Sequence, residues 1–246
     1  MIERNVAPGV HRIEDAFTNW YLIEEDDRLT VVDAGVPASW ESLHRALGLL
    51  GRVPSDIAAI VLTHAHFDHV GFAERVRREL GVTVHVHEND VPLTRHPLQY
   101  TKERSPLRYI ATHPKALPIM AALARSRAFF PSPVREVSRF SNGTLAVPGT
   151  PRVVPTPGHT LGHVSLHLPD RDAVIAGDAI VMLDPYTGET GPRIVSRAAT
   201  ADPERALASL DGLAETGART VLTGHGPVWN DGVESAVEQA RHVGVS

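Results

Sequence analysis

Ile57-Ala58-Ala59-Ile60-Val61-Leu62-Thr63-His64-Ala65-His66-Phe67-Asp68-His69 sets six apolar residues ahead of four potential metal ligands packed into six positions. The apolar run reads as a strand covered on both faces, so the histidine cluster sits at its C-terminal end. Packing gives no reason for such density. A sharp turn with alternating imidazoles aims His64 and His66 at one cation while Asp68 and His69 reach a second, and zinc, manganese and iron all accept nitrogen and oxygen ligands of this kind. The chain has no cysteine. That rules out disulfides, thiolate ligands and a Cys nucleophile, leaving imidazole and carboxylate to hold any metal.

Upstream, residues 9–13, 19–23 and 29–32 read as short strands of a β-meander, with Asp26-Asp27 as a turn and Asp33-Ala34-Gly35 as the last strand's end. A helix is expected from Pro37-Ala38-Ser39, with Leu43, Ala46, Leu47 and Leu50 on one face and Gly51 as its stop. Downstream, Phe72, Val76 and Leu80 share a helix face closed by Gly81, and 82–86 is the next strand. This strand-helix-strand rhythm predicts an α/β fold. Residues 92–130 break it with Pro97, Pro106, Pro114 and Pro118. They read as a helical insertion whose best helix is 117–130, with Met120, Leu123 and Arg127 at helical spacing. It serves as a scaffold on the sheet, a lid over the site, or a contact for a second subunit in a homodimer. The second half repeats the theme with strands at 134–140, 152–155, 164–168 and 173–176. A helix at 202–215 is capped by Asp202 before Pro203, Thr220-Val221-Leu222 leads to His225, and 229–243 forms a terminal helix. Residues 1–246 are expected to be one domain.

The 246 residues are 42% hydrophobic with a formal charge of −5. No basic excess is available to neutralise a phosphate backbone, so a small-molecule substrate is expected and nucleic acid is not. No apolar run reaches the roughly 20 residues of a membrane span, and Met1-Ile2-Glu3-Arg4 leads into no signal-like stretch, so the expectation is a cytoplasmic protein without a membrane partner.

The His-x-His-x-Asp-His run resembles the signature of the metallo-β-lactamase superfamily. Three further features match in order: Pro157-Gly158-His159-Thr160 is similar to the third-histidine loop, Ala176-Gly177-Asp178 to the bridging aspartate, and Gly224-His225-Gly226 to the last histidine. Asp33 resembles the early aspartate that lies behind the ligands. The resemblance implies a four-layer αββα sandwich with a helical insertion. It implies two divalent metal ions, zinc first with iron or manganese also accepted: His64, His66 and His159 on one, Asp68, His69 and His225 on the other, Asp178 bridging. Two cations about 3.5 to 4 Å apart lower the pKa of bound water from 15.7 towards roughly 7, which supplies a metal-bound hydroxide nucleophile at neutral pH. Asp68 is the expected catalytic residue, orienting the hydroxide or carrying its proton to the leaving group.

Among family activities, β-lactamases usually lack the bridging aspartate, and nucleases usually carry a further nucleic-acid-binding domain or basic extension. Glyoxalase II-like thioesterases share all seven ligands and a similar Gly224-His225-Gly226-Pro227 segment. Their glutathione-binding helical domain has no counterpart in the about twenty residues after His225. Acyl-homoserine lactonases also share the ligands but place a Tyr where this chain has Val181, with Tyr186 as a substitute. The expected activity is therefore dinuclear hydrolysis of a small lactone, ester or thioester. The alternatives are a phosphodiesterase and a non-haem iron dioxygenase resembling persulfide dioxygenases. Phe17, Trp20, Phe67, Tyr100, Tyr109 and Tyr186 are candidates for the substrate pocket. His85 and His87 share a strand face that invites a further metal reading. His163, four residues after His159, either braces the site or packs.

Overall fold

The computed structural model describes residues 1–245. Among them a seven-stranded sheet runs in chain order through β1 (Ile2–Ala7), β2 (Val10–Asp15), β3 (Thr18–Glu25), β4 (Arg28–Val32), β5 (Ile57–Val61), β6 (Thr83–His87) and β7 (Ser138–Phe140). The first four strands pair antiparallel, as two-residue turns allow, and the pairs from β4 onward are parallel. Parallel neighbours need long crossovers, which α1 (Ser39–Leu50) and α2 (Ala73–Leu80) supply. Both helices stop at glycines with left-handed backbones, Gly51 and Gly81. The insertion carries α3 (Val91–Arg95), α4 (Pro106–Thr112) and α5 (Leu117–Arg125). A second sheet holds β8 (Arg152–Pro155), β9 (Val164–Leu168) and β10 (Ala173–Gly177). After a hairpin of β11 (Val181–Leu183) and β12 (Thr190–Arg193), the helix α6 (Pro203–Ala214) leads to β13 (Thr220–Thr223), which pairs parallel with β10, and α7 (Val233–Val243) follows.

The period-two alternation of strand side chains separates three apolar layers. Trp20, Leu22, Leu29, Val31, Ile60 and Leu62 face α1 and α2, packing on Leu43, Leu47, Phe72 and Val76. Their neighbours Tyr21, Ile23, Val32, Ala59 and Val61 face the second sheet and meet Val164, Leu166, Ala173 and Ile175. Val174, Ala176 and Val221 point outward to Leu210, Leu213, Ala236 and Val237 of α6 and α7. The order helix, sheet, sheet, helix is the αββα sandwich expected above. Asp202 caps α6 by accepting from the Arg205 amide at 2.9 Å. No helix among the described residues is long and apolar enough to cross a membrane.

Several sequence expectations are corrected. The strand expected at 134–140 shrinks to β7, because Val134 drops into the core with its amide on the Thr94 carbonyl and the Arg135 amide donates to Glu74 instead of a neighbouring strand. The helix expected to reach residue 130 ends at Arg125, and Arg127 takes a positive φ of 60°. The terminal helix starts at Val233, not Trp229, because Trp229 forms a β-bridge with Val221. Trp20 is not a pocket residue. It has no exposed surface, its indole meets Phe72 edge-on at 5.1 Å, and its Nε1 donates to Asp15 Oδ2 at 3.1 Å. Trp20→Ala should therefore lower stability by about 3–5 kcal/mol in urea unfolding while KM stays at the wild-type value. A raised KM at unchanged stability would return Trp20 to the pocket.

Candidate metal centre

Each expected ligand leaves the end of a strand. Thr63 to His69 follow β5, His159 lies between β8 and β9, Asp178 follows β10, and His225 follows β13. These loops converge at one end of the two sheets. Among the described residues, the nitrogens of His64, His66 and His159 lie within 4.8 Å of one another, as do the ligand atoms of Asp68, His69 and His225. All six residues are buried. Asp178 stands between the two groups: its Oδ2 is 3.3 Å from His159 Nε2 and 3.4 Å from His225 Nε2, and its Oδ1 is 3.6 Å from His69 Nε2.

The imidazoles are oriented from behind. His69 Nδ1 donates to Asp33 Oδ2 at 3.0 Å, and His225 Nδ1 donates to the Phe17 carbonyl at 2.8 Å. Thr63 donates its hydroxyl to the same Asp33 oxygen at 2.8 Å and is met by His64 Nδ1 at 3.0 Å. Asp33 also accepts the Thr63 amide, so the early aspartate pins both ends of this arrangement. With Nδ1 engaged as a donor, each ring turns its Nε2 toward the centre. His163 is a brace and no member of the three-residue clusters: its Nε2 accepts the Asp178 amide at 2.9 Å while Nδ1 meets Thr156 Oγ1 at 2.9 Å.

Buried polar atoms in folded proteins nearly always have partners. Here Nε2 of His64, His66, His69 and His159, and Oδ1 of Asp178, have none. Five orphaned ligand atoms, all facing one space and all of imidazole or carboxylate type, fit divalent cations. The electrostatics divide the two groups. Burial and the neighbouring imidazoles hold His64 and His66 well below the usual histidine range, and burial takes His159 down to about 4. Burial also acts against the His69 cation, but Asp178, Asp68 and Asp33 outweigh it and raise that residue to about 10. His225 is raised too, with burial outweighed by Asp178 and Asp68.

A cavity of about 230 Å³ opens beside His66 and His159, with Leu93, Tyr100, Thr160 and Leu161 in its walls. Tyr100, from the insertion, lays its ring 4.3 Å from that of His66, and its hydroxyl is 2.9 Å from the Tyr186 hydroxyl. Of the aromatic pocket candidates, Tyr100 alone lines this cavity. Phe67 and Tyr186 are buried behind it, Phe67 packing with Tyr100 and Phe129. Phe17 contributes its carbonyl to His225, and Tyr109 stacks on His113. His85 and His87 join no ligand cluster among the described residues, and His87 accepts the Asn89 amide.

Sequence reasoning missed the clamp on the His225 loop. Asn19 Nδ2 donates to the carbonyls of Thr223 (2.8 Å) and Gly226 (2.7 Å), Arg12 Nη2 to Gly226 (2.9 Å), and Tyr21 OH to Thr223 (2.7 Å). A buried Arg and Asn within a meander that otherwise alternates apolar residues were the available signal.

The profile of the metallo-beta-lactamase superfamily matches residues 13–225. The chain belongs to the metallo-beta-lactamase superfamily. It is similar to the probable metallo-hydrolase YflN of Bacillus subtilis, 28% identical over 237 residues that cover 89% of this chain and 84% of that protein. Among solved structures, the metallo-beta-lactamase family protein TTHA1429 of Thermus thermophilus superposes with a TM-score of 0.69 at 26% identity, covering 96% of this chain and 80% of that one. TTHA1623, solved in a di-iron-bound form, superposes with a TM-score of 0.63 at 26% identity, covering 91% and 95%. As a metallo-beta-lactamase superfamily member with these metallo-hydrolase relatives, the protein is a metal-dependent hydrolase.

Proposed function

We propose that the protein is a dinuclear hydrolase of a small lactone, ester or thioester. The observation that carries the reading is the set of five orphaned, buried ligand atoms beside an open and mainly apolar cavity. His64, His66 and His159 would hold one ion, Asp68, His69 and His225 the other, and Asp178 would reach both. When bound, such ions acidify a coordinated water and polarise the substrate's carbonyl oxygen. Zinc suits the donors, and the di-iron form of TTHA1623 keeps iron in view. Asp68, whose Oδ2 lies 3.6 Å from His225 Nε2, would also serve as the acid-base group, taking a proton from water and passing it to the leaving group. Burial raises the Tyr100 and Tyr186 hydroxyls above the usual tyrosine range, so both stay protonated; Tyr100, which lines the cavity, would donate to a substrate oxygen while accepting from Tyr186. Phe67 and Phe129 pack behind Tyr100 and support its ring at the cavity wall. The cavity lies below the roughly 300–1,000 Å³ of common ligand pockets, which favours a small substrate over a polymer.

Elemental analysis of the purified protein, joined to a screen of lactones, esters, thioesters and phosphodiesters, tests the reading. About two ions per chain and turnover of at least one acyl substrate, lost on chelation and restored by metal, are expected. Full hydrolysis by metal-free protein would sink it.

The titration pattern makes a separate prediction for loading. The His64, His66 and His159 rings are neutral at pH 7 and ready to bind, whereas the carboxylates beside His69 hold it protonated and shift His225 in the same direction. Metal must displace that proton. Because the folded His69 value is raised to about 10, its favourable charge pairing is complete below the unfolded value of about 6.5 and is lost as pH rises toward 10. Affinity for the second ion should climb across that window while affinity for the first stays flat. Calorimetric titration in buffers of different ionisation enthalpy at pH 7.5 should show proton release confined to the second ion. Equal release at both positions would contradict the assignment.

A further inference from the structure

Asp90 closes a short turn after β6, just before α3. The run Asp90-Val91-Pro92 reads as a helix N-cap, yet the side chain makes no bond to the α3 amides. It is fully buried and faces the two ligand loops instead. Its Oδ2 accepts the Ala65 amide at 3.0 Å and the Thr160 hydroxyl at 2.8 Å, and its Oδ1 accepts the Gly162 amide at 2.8 Å. Ala65 lies between His64 and His66, while Thr160 and Gly162 follow His159. One carboxylate thus spans the two loops that supply all three imidazoles of one cluster. The contact is close: a Cβ on Gly162 would stand 2.6 Å from the Asp90 amide nitrogen.

We propose that Asp90 is the positioning residue of the three-imidazole site, fixing the separation of His64 and His66 from His159 and thereby setting that site's metal affinity. The proposal rests on the ligand assignment given under the proposed function. Asp90 touches no ligand ring and no reacting atom; it acts through backbone amides and one hydroxyl. It is the counterpart of Asp33, which serves the other site by bonding His69 directly. A neutral isostere leaves one acceptor oxygen for three donors and turns an NH2 group either toward the Gly162 amide, which cannot accept it, or toward the Ala65 amide and the Thr160 hydroxyl, of which only the hydroxyl can. The two loops must then part. A buried carboxylate that served only general stability would weaken both metal sites together, or neither.

The test is Co2+ titration of metal-free protein, followed by visible absorption, for wild type, Asp90→Asn, Thr160→Val and His66→Ala. Asp90→Asn should weaken the three-imidazole site about 10–100-fold, the range typical of partners that lie behind metal ligands, with the Asp68, His69 and His225 site near its wild-type affinity. Thr160→Val removes one of three donors and should shift the same site in the same direction by less, which keeps the test open if Asp90→Asn folds poorly. Lowered melting temperature with unchanged Co2+ affinity, or equal weakening of both sites, overturns the proposal. If His66→Ala itself leaves Co2+ binding intact, the ligand assignment fails; if His66→Ala abolishes one site and the Asp90 and Thr160 variants do not weaken it, only the role of Asp90 fails.

Discussion

Asp178→Asn is expected to lower kcat/KM by more than about 100-fold, beyond the loss usual for a residue that merely supports a metal ligand. Asp178 is the side chain within reach of both ligand groups, with Oδ1 unpartnered and Oδ2 between His159 and His225. Asparagine keeps the shape and removes the charge. Burial opposes ionisation of Asp178, but His225 and His69 hold it well below the usual carboxylate range, and in return it is the main charge raising those two imidazoles in the metal-free protein. Metal content should fall from about two ions per chain toward one, as expected when the group serving both positions of a two-metal site is neutralised. Near-wild-type turnover with two ions retained would show that Asp178 bridges nothing.

Gly224→Ala is expected to be nearly as damaging without altering any ligand. A Cβ at this position would stand 1.9 Å from Asp178 Oδ1 and 3.0 Å from His69 Cε1. The backbone cannot retreat, because the Gly224 amide donates to Gly177 O at 2.8 Å and its carbonyl accepts the Asn19 amide at 2.7 Å. Either the carboxylate swings out of the centre or the loop leaves its clamp. Overpacking of this kind costs about 1–3 kcal/mol or more, and both routes disperse the ligands. Melting temperature and metal content should therefore fall together. A double-mutant cycle with Asp178→Gly isolates the cause: with the carboxylate gone, Gly224→Ala should cost little stability, and an unchanged cost would place the strain elsewhere.

The ligand-bearing loops were legible in the sequence because their signal is local. His64 to His69 are adjacent in the chain, and the glycines beside His159, Asp178 and His225 mark turns. That β5 is covered on both faces was legible from its unbroken apolar run, but which side chain meets which layer was not, because a run apolar at every position carries no period of two. Other features are set by residues far apart in sequence. β1 is a half-exposed edge strand with no clean alternation, and β11 and β12 are short segments that gain their form by pairing with each other. Trp20 carries the composition of a pocket aromatic, and only the position of Phe72 across the sheet face buries it. Asp90 looks like a helix cap until the loops 25 and 72 positions away are brought against it.

The clamp on the His225 loop joins residues 202 to 214 positions apart. Arg12, Asn19 and Tyr21 leave the ribosome long before Thr223 and Gly226, so until those residues are made this buried polar trio lacks these acceptors and the His225 candidate is missing from its group. His64, His66 and His159 all precede β10, whereas His225 joins Asp68 and His69 only when β13 pairs with β10. Contacts of such long sequence separation form late and slowly. Closing this loop therefore needs residues from both sides of a gap of more than 200 positions, and a chain stalled before Thr223 leaves Arg12, Asn19 and Tyr21 without these acceptors.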